Sequence, residues 1–484
     1  MEPVLPFAPD LNGAAGHLAG SLHQQLRAAI LDGRLAAGSA LPSTRTLATE
    51  LGIARNTVVA AYDLLVAEGY VLPRKGAKAV VAELRGRQAT RAPTLAQPVE
   101  DPRLAPFWRT PFLPMTRRVL PERSFRLGLP DHRHFPHAVW RKLTAQALHE
   151  FSKQPFRYPP SEGLPELREA IAQHVSFARA VACTPDDVIV TSGAQQAFDL
   201  LARLLVTPGQ TRVAVENPGY PPLRAAFAAA GATLVPVKVD DEGLCVECLP
   251  DDVNVILVTP SHQSPTGAAL SLRRRTALLD YARERNAVIV EDDYDGEFRF
   301  GGRPLDALQT LDRDALVFYV GTFTKSLFPA LRKGFIVAPP WAREPLAQVK
   351  QCADSHSDSL AQTVLAHFIR DGHMARHVRK MRSIYAERRH ALEEGLASLA
   401  PWLAPIPSEA GMHMAARLRD PSQASRILAC VREHAPGAQA TAEYAMAPLD
   451  DPAVVFGYGV IDADEIRVRM AALRRALDTA SYGA

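Results

Sequence analysis

Apolar residues recur at helical spacing near the start of the chain, then give way to short unbroken runs. Leu18, Leu22, Leu26, Ala29 and Ile30 fall on one helical stripe. The turn Gly38-Ser-Ala-Leu-Pro-Ser43 leads into a second helix from Thr44 to Leu51, which Gly52 breaks. A third helix follows with Val58, Tyr62 and Leu65 inward, and Gly69 lies near its end, where glycine is favoured. Val71 to Val81 reads as two short strands turning at Lys75-Gly76. Helix, helix–turn–helix and a two-stranded wing predict an α-rich winged helix-turn-helix head over residues 15–82.

Residues 83–124 lose this periodicity. Pro93, Pro98, Pro102, Pro106, Pro111, Pro114 and Pro121 favour a semi-extended linker. Between 83 and 126 nine Arg stand against four Asp or Glu, so the linker is basic. That charge suits a solvated tether, or one that grips phosphates or docks two domains. From 125 to 484, apolar runs alternate with amphipathic segments. Val188–Val190, Val213–Val215, Val253–Val258, Val288–Val290 and Leu316–Val320 read as buried strands. This alternation predicts an α/β domain with a mainly parallel sheet covered on both faces.

Composition changes this picture little. Hydrophobic residues make up 47% and charged residues 22%, ordinary for a soluble globular chain. A formal net charge of +3 does not argue for nucleic acid, so local features must carry any such reading. The start MEPVLPFAPDLNG lacks a secretory pattern, and no apolar stretch approaches the roughly 18 residues of a membrane span. A cytoplasmic protein without membrane contact is expected. Cys245 and Cys248 form a single C-x-x-C with no second pair, and isolated thiols are the expectation.

The third helix opens with Arg55, Asn56 and Thr57. Arg can bond guanine twice and Asn can do the same to adenine, so these residues are candidates for base contact in double-stranded operator DNA. Arg45 starts the preceding helix and can reach the backbone. Arg74, Lys75 and Lys78 charge the wing for phosphate or minor-groove contact. The head resembles the GntR family of winged-helix regulators through LHQQLRAAILDGRLAAGSALPSTRTLATELGIARNTVVAAYDLLVAEGY. The resemblance implies that Arg45, Arg55, Thr57 and the wing Gly76 approach DNA. Ala54 stands where that family often has Ser, forgoing roughly 1 kcal/mol of helix capping.

In the large domain, Gly321-Thr-Phe-Thr-Lys325-Ser follows a strand. A lysine there suits Schiff-base chemistry with an aldehyde, once burial or a cationic neighbour lowers its pKa. Thr322, Thr324 and Arg332 can hold a phosphate. Ser192-Gly-Ala-Gln195 opens a helix, and its backbone amides make an anion site. Glu291-Asp-Asp-Tyr294 ends a strand. It offers a carboxylate for a pyridine nitrogen and a phenol for a ring oxygen, the needs of pyridoxal 5'-phosphate (PLP). Tyr220 in Asn217-Pro-Gly-Tyr220 offers a stacking face, Pro260–Gly267 is a rigid turn, and Arg467 is a candidate carboxylate clamp.

YPPSEGLPELREAIAQHV, TSGAQQAFDLLARLL, ENPGYPPLRAAF, TPSHQSPTG, EDDYDGEFRF and GTFTKSLFPALRKGF occur in that order. They resemble fold-type I PLP-dependent transferases, and with the head before them they resemble MocR regulators. The resemblance implies an internal aldimine on Lys325, Asp292 on the pyridine nitrogen and Tyr294 on the phenolic oxygen. It implies Tyr220 stacked on the ring and phosphate held by Gly193, Ala194, Gln195, Thr322, Thr324 and Arg332. Arg467 would receive an effector carboxylate. The family's Asp tends to stand three residues before the Tyr, whereas Asp292 stands two before Tyr294 and Asp293 is adjacent to it, so Asp293 is an alternative to Asp292. Ser264 replaces the Asn usual in aminotransferases, which counts against turnover. The C-terminal Ile466-Arg-Val-Arg lacks a glycine the family often carries. The reading implied is a PLP-dependent transcription regulator, a head-to-tail homodimer whose signal is PLP or an amino-group effector. A working aminotransferase with an appended head is the alternative, and a large domain that only dimerises is a third.

Overall fold

The computed structural model describes residues 4–11, 17–74, 78–83, 103–109, 120–153, 155, 157–301 and 306–481. The chain divides into two compact units, Met1–Glu100 and Asp101–Ala484. Lys75, Gly76 and most of the proline-rich linker lie outside the described residues.

In the first unit, helices α1 (Leu18–Leu31), α2 (Thr44–Leu51) and α3 (Arg55–Ala67) precede strands β1 (Val71–Leu72) and β2 (Val80–Val81). The predicted stripe forms the core: Leu22, Leu26, Leu47, Val58, Leu65 and Val71 are buried together. Each such side chain contributes roughly 2 kcal/mol of burial, which holds this small unit together. Gly52 ends α2 at φ +64, a left-handed conformation that a side chain resists. The wing pairs antiparallel, with Val71 opposite Val81.

The second unit is built on an eight-stranded sheet. Its strands are β3 (Val188–Thr191), β4 (Arg212–Asn217), β5 (Thr233–Asp240), β6 (Gly243–Leu244), β7 (Val255–Val258), β8 (Val288–Asp293), β9 (Val317–Thr322) and β10 (Gly334–Val337). The order across the sheet is β3-β10-β9-β8-β7-β4-β5-β6. The pairings β9–β8, β8–β7, β7–β4 and β4–β5 are parallel, while β10 runs antiparallel between β3 and β9. Both faces are covered. Val255 and Leu257 enter one core while Ile256 and Val258 enter another, the two-residue period of a strand buried on each side. Strands β5, β6 and β10 were not among the predicted runs. β5 is mostly half-exposed, and β10 is a four-residue strand opened by a glycine.

A second, antiparallel sheet of order β11-β12-β14-β13 lies toward the C-terminus. Its strands are β11 (Leu403–Pro405), β12 (His413–Leu418), β13 (Gln439–Ala440) and β14 (Ala453–Gly457). The final helix, Ala463–Ser481, buries Ile466, Met470, Leu473 and Leu477 against it and its neighbours. Among the described residues no helix is long and apolar enough to cross a membrane. Cys245 and Cys248 are free thiols with their sulfurs 3.1 Å apart.

Candidate cofactor site and nucleic-acid interface

The parallel strands end at a shared edge, where open α/β sheets place their ligands. Here β3, β4, β7, β8 and β9 deliver their following loops around a cavity of about 250 Å³. Ala194, Gln195, Tyr220, Ser264, Asp292, Tyr294, Thr322, Thr324, Lys325 and Arg332 line it. Residues separated widely in sequence therefore meet because each lies at an end of a strand of one sheet or in the loop beyond it.

Lys325 donates from Nζ to the Gly128 carbonyl at 2.7 Å. Gly128 is required there: its φ is +70, and a Cβ would lie 2.6 Å from the amine. Burial lowers the Lys325 pKa, and the charges of Asp295 and Asp292 oppose that shift. At one corner of the cavity, Gly193 precedes the helix Ala194–Leu205 at φ +87, and a Cβ on it would meet Arg332 at 3.2 Å. Thr322 Oγ1 donates to Thr324 Oγ1 at 2.9 Å, facing the same corner. Helix amides, two hydroxyls and a guanidinium suit an anion. Tyr220 caps the helix Pro221–Ala229, and the residue is 36% exposed at the cavity.

Strand alternation separates the three carboxylates of β8. Glu291 accepts from the Leu308 and Gln309 amides at 2.8 and 2.9 Å. Asp293, on the same face, accepts from Arg179 Nε at 2.6 Å and from the Tyr319 hydroxyl at 2.7 Å. Asp292 points the other way, into the cavity, and its buried Oδ1 has no hydrogen-bond partner. Burial holds the Asp292 pKa well above the carboxylate range, repulsion from Asp293 adds to this, and Lys325 opposes it.

Several residues here were not anticipated: Gly128, His262, Asp295, His413, Gln439 and Tyr444. His262 Nδ1 lies 3.1 Å from both oxygens of Asp295 and 3.0 Å from the Tyr294 hydroxyl. The His413 ring lies 4.4 Å from that of His262 and lines the cavity. The Tyr444 hydroxyl donates to Gln439 Oε1 at 2.6 Å on the far wall. His262 and Asp295 were visible as polar residues inside motifs already singled out. Gly128 opens GLPDHRHFPHAVWRKL, a further stretch similar to the same transferases, but no role was expected of it; His413, Gln439 and Tyr444 carried no such signal, because they reach the cavity from the second sheet and the turn after β13.

Arg467 does not join this site, which corrects the expectation of a carboxylate clamp. It follows Ile466 on the final helix, and Ile466 is the residue turned inward. One position on, Arg467 faces outward and pairs with Asp464 at 3.0 Å and Glu394 at 3.5 Å.

In the head, Ser43 caps α2 by accepting from the Thr46 amide at 3.2 Å. Ala54 occupies the cap of α3 with no side-chain bond, as its lack of a hydroxyl dictates. Arg45, Arg55 and Asn56 are exposed and Thr57 is half-buried on the opening turns of α2 and α3. Arg55 Nε donates to Thr44 Oγ1 at 3.4 Å, tying the two helix starts together. Arg74 is exposed after β1.

The family described as bacterial regulatory proteins, gntR family, matches residues 18–81, and aminotransferase class I and II matches residues 127–479. A relative named probable rhizopine catabolism regulatory protein MocR, from Rhizobium meliloti, is 38% identical over 82% of this chain and 80% of its own length. The HTH-type pyridoxine biosynthesis transcriptional regulator PdxR of Corynebacterium glutamicum is 33% identical over 94% of this chain and 95% of its own. Among solved structures, the α-aminoadipate aminotransferase LysN from Thermus thermophilus superposes with a TM-score of 0.67. It shares 28% identity and covers 75% of this chain and 94% of its own.

Proposed function

The chain belongs to the MocR-type regulators, a gntR-family head joined to an aminotransferase class I and II domain, and from that premise we propose that it is a cytoplasmic, DNA-binding transcription regulator whose large unit binds PLP and senses PLP itself or a primary amine. The observation that carries the reading is the convergence of the Lys325 amine and the unpartnered Asp292 Oδ1 on one cavity, in a chain that also carries a winged helix.

The residues fit the cofactor. Asp292 Oδ1 is a buried acceptor that lacks a partner, and a protonated pyridine nitrogen would supply one. Gly193, Ala194, Gln195, Thr322, Thr324 and Arg332 would hold the phosphate. Tyr220 would cover the ring and Tyr294 would meet its phenolic oxygen. When bound, PLP supplies an aldehyde that condenses reversibly with amines. The lowered pKa of Lys325 keeps more of its amine unprotonated and able to attack.

In the head, Arg55, Asn56 and Thr57 would read base edges. Arg45, Arg74, Lys75 and Gly76 would contact the backbone. A head-to-tail homodimer would present two heads to paired half-sites. Ligand-dependent change in the large unit would then alter DNA affinity, and by linkage DNA would alter ligand affinity by the same factor. Ser264, in place of the Asn of aminotransferases, favours sensing over turnover.

The test is binding of the full chain to DNA from upstream of its own gene, PLP-loaded and PLP-stripped, at two salt concentrations. Specific binding that changes about fivefold or more with PLP is expected. Steady amino-acid and keto-acid turnover without specific DNA binding would overturn the reading.

A further inference from the structure

Tyr294 carries a hydroxyl whose proton can point in two directions, and its neighbours decide which. His262 Nδ1 is 3.0 Å from the hydroxyl oxygen and 3.1 Å from each oxygen of Asp295. Asp295 Oδ2 also accepts from the Met412 amide at 3.2 Å. A carboxylate offers acceptors only, so the His262 nitrogen facing it must carry hydrogen. That nitrogen then has no lone pair to accept from Tyr294. His262 Nε2 is buried without a partner, which favours the same tautomer: a buried acceptor left unpaired is tolerated better than a buried N–H.

We infer that Asp295 and His262 fix the polarity of Tyr294. His262 Nδ1–H is shared between the Asp295 carboxylate and the Tyr294 oxygen, so the phenolic proton is released to donate into the cavity. The site thereby presents a fixed donor to an anionic, phenolate-type oxygen on its ligand. His262 and Asp295 are positioning residues, acting through Tyr294.

The arrangement is held rigidly. Gly411 lies so close that a Cβ there would be 1.8 Å from His262 Cε1, so the imidazole is pinned against backbone. The Tyr458 hydroxyl donates to the Gly411 carbonyl at 2.7 Å, and the Gly411 amide donates to the Phe298 carbonyl at 2.7 Å. These bonds fasten the second sheet to the loop after β8 at the dyad itself. The other ionisable groups near Tyr294 and His262 are Asp292, Glu216, Lys325 and His413. Burial and the nearby His262 hold the His413 pKa well below the usual histidine range, so it adds no positive charge to compete for Asp295.

The first measurement uses cofactor-free full-length protein with isotope-labelled histidine. It reads by magnetic resonance which ring nitrogen of His262 bears hydrogen, with His262→Leu and Asp295→Asn each identifying the signal. Hydrogen on Nδ1 is expected, and hydrogen on Nε2 alone would overturn the inference. This result does not depend on the cofactor reading.

The second measurement rests on that reading. It follows the pH midpoint of the visible band of PLP-loaded protein in wild type, Tyr294→Phe, Asp295→Asn and the double variant. Asn keeps an oxygen for the Met412 amide, so the fold is preserved. Removing a negative charge alone lowers the midpoint, whereas losing a donor to the ring oxygen raises it. Asp295→Asn should therefore shift the midpoint upward, by about one pH unit, relative to its own effect in the Tyr294→Phe background. Equal effects in both backgrounds would overturn the inference. Absence of any visible band in wild type would sink the cofactor reading instead, leaving the histidine measurement to decide.

Discussion

Asp292 and Asp293 are neighbours on β8 and have opposite surroundings: Asp293 Oδ2 accepts from Arg179 at 2.6 Å, while Asp292 Oδ1 is buried at the cavity without a partner. Their substitutions should separate accordingly. Asp292→Asn should weaken PLP binding about tenfold or more, the scale of one charge-assisted hydrogen bond, with stability little changed. Asp293→Asn should cost about 3 kcal/mol of stability, because it weakens a buried ion pair and leaves the guanidinium poorly compensated. Fluorescence titration with PLP and urea unfolding read the two effects. Equal loss of affinity in both variants would contradict the assignment.

Glu216 is buried beside the cavity and accepts from the Thr259 amide and hydroxyl and from Gln263. Burial raises its pKa to about 7 from an ordinary value of 4.5, against the pull of those hydrogen bonds. The folded state therefore keeps a proton that the unfolded state releases near 4.5. This group's contribution to stability accordingly falls as pH rises from about 4.5 through about 7. Glu216→Gln should flatten that part of the pH–stability curve, as measured by urea unfolding across the range. An unchanged difference between wild type and variant at every pH would refute it.

Arg55 and Arg45 should fail differently. Arg55→Ala is expected to cost about 1–3 kcal/mol of specific DNA affinity and to relax preference at one base position. Arg45→Ala should weaken all sequences alike and reduce the salt slope by about one. Binding isotherms on specific and scrambled duplexes at several salt concentrations distinguish them.

Arg467→Ala should leave ligand binding intact. Its partners, Asp464 and Glu394, are exposed with it, so the loss should stay within about 1 kcal/mol. A marked fall in PLP or amine affinity would return Arg467 to the site.

The sequence alone determined the elements whose chemistry is local. The α1 stripe, the Gly52 turn and the buried runs of β3, β4, β7, β8 and β9 follow from side-chain period and backbone sterics, and each was legible. The motifs after those strands were legible too, since a lysine behind Thr322 and Thr324 or a glycine before Ala194 advertises its own environment. Tertiary structure decided the rest. Only the pleat of β8 in its sheet turned Asp292 to the cavity and Asp293 to Arg179. Only the packing of Ile466 sent Arg467 outward. Only the meeting of two sheets placed Gly128 on the Lys325 amine, and the Gly411 backbone and His413 against His262. Those relationships depend on contacts between residues far apart in the chain, where periodicity carries no information about which groups will face one another.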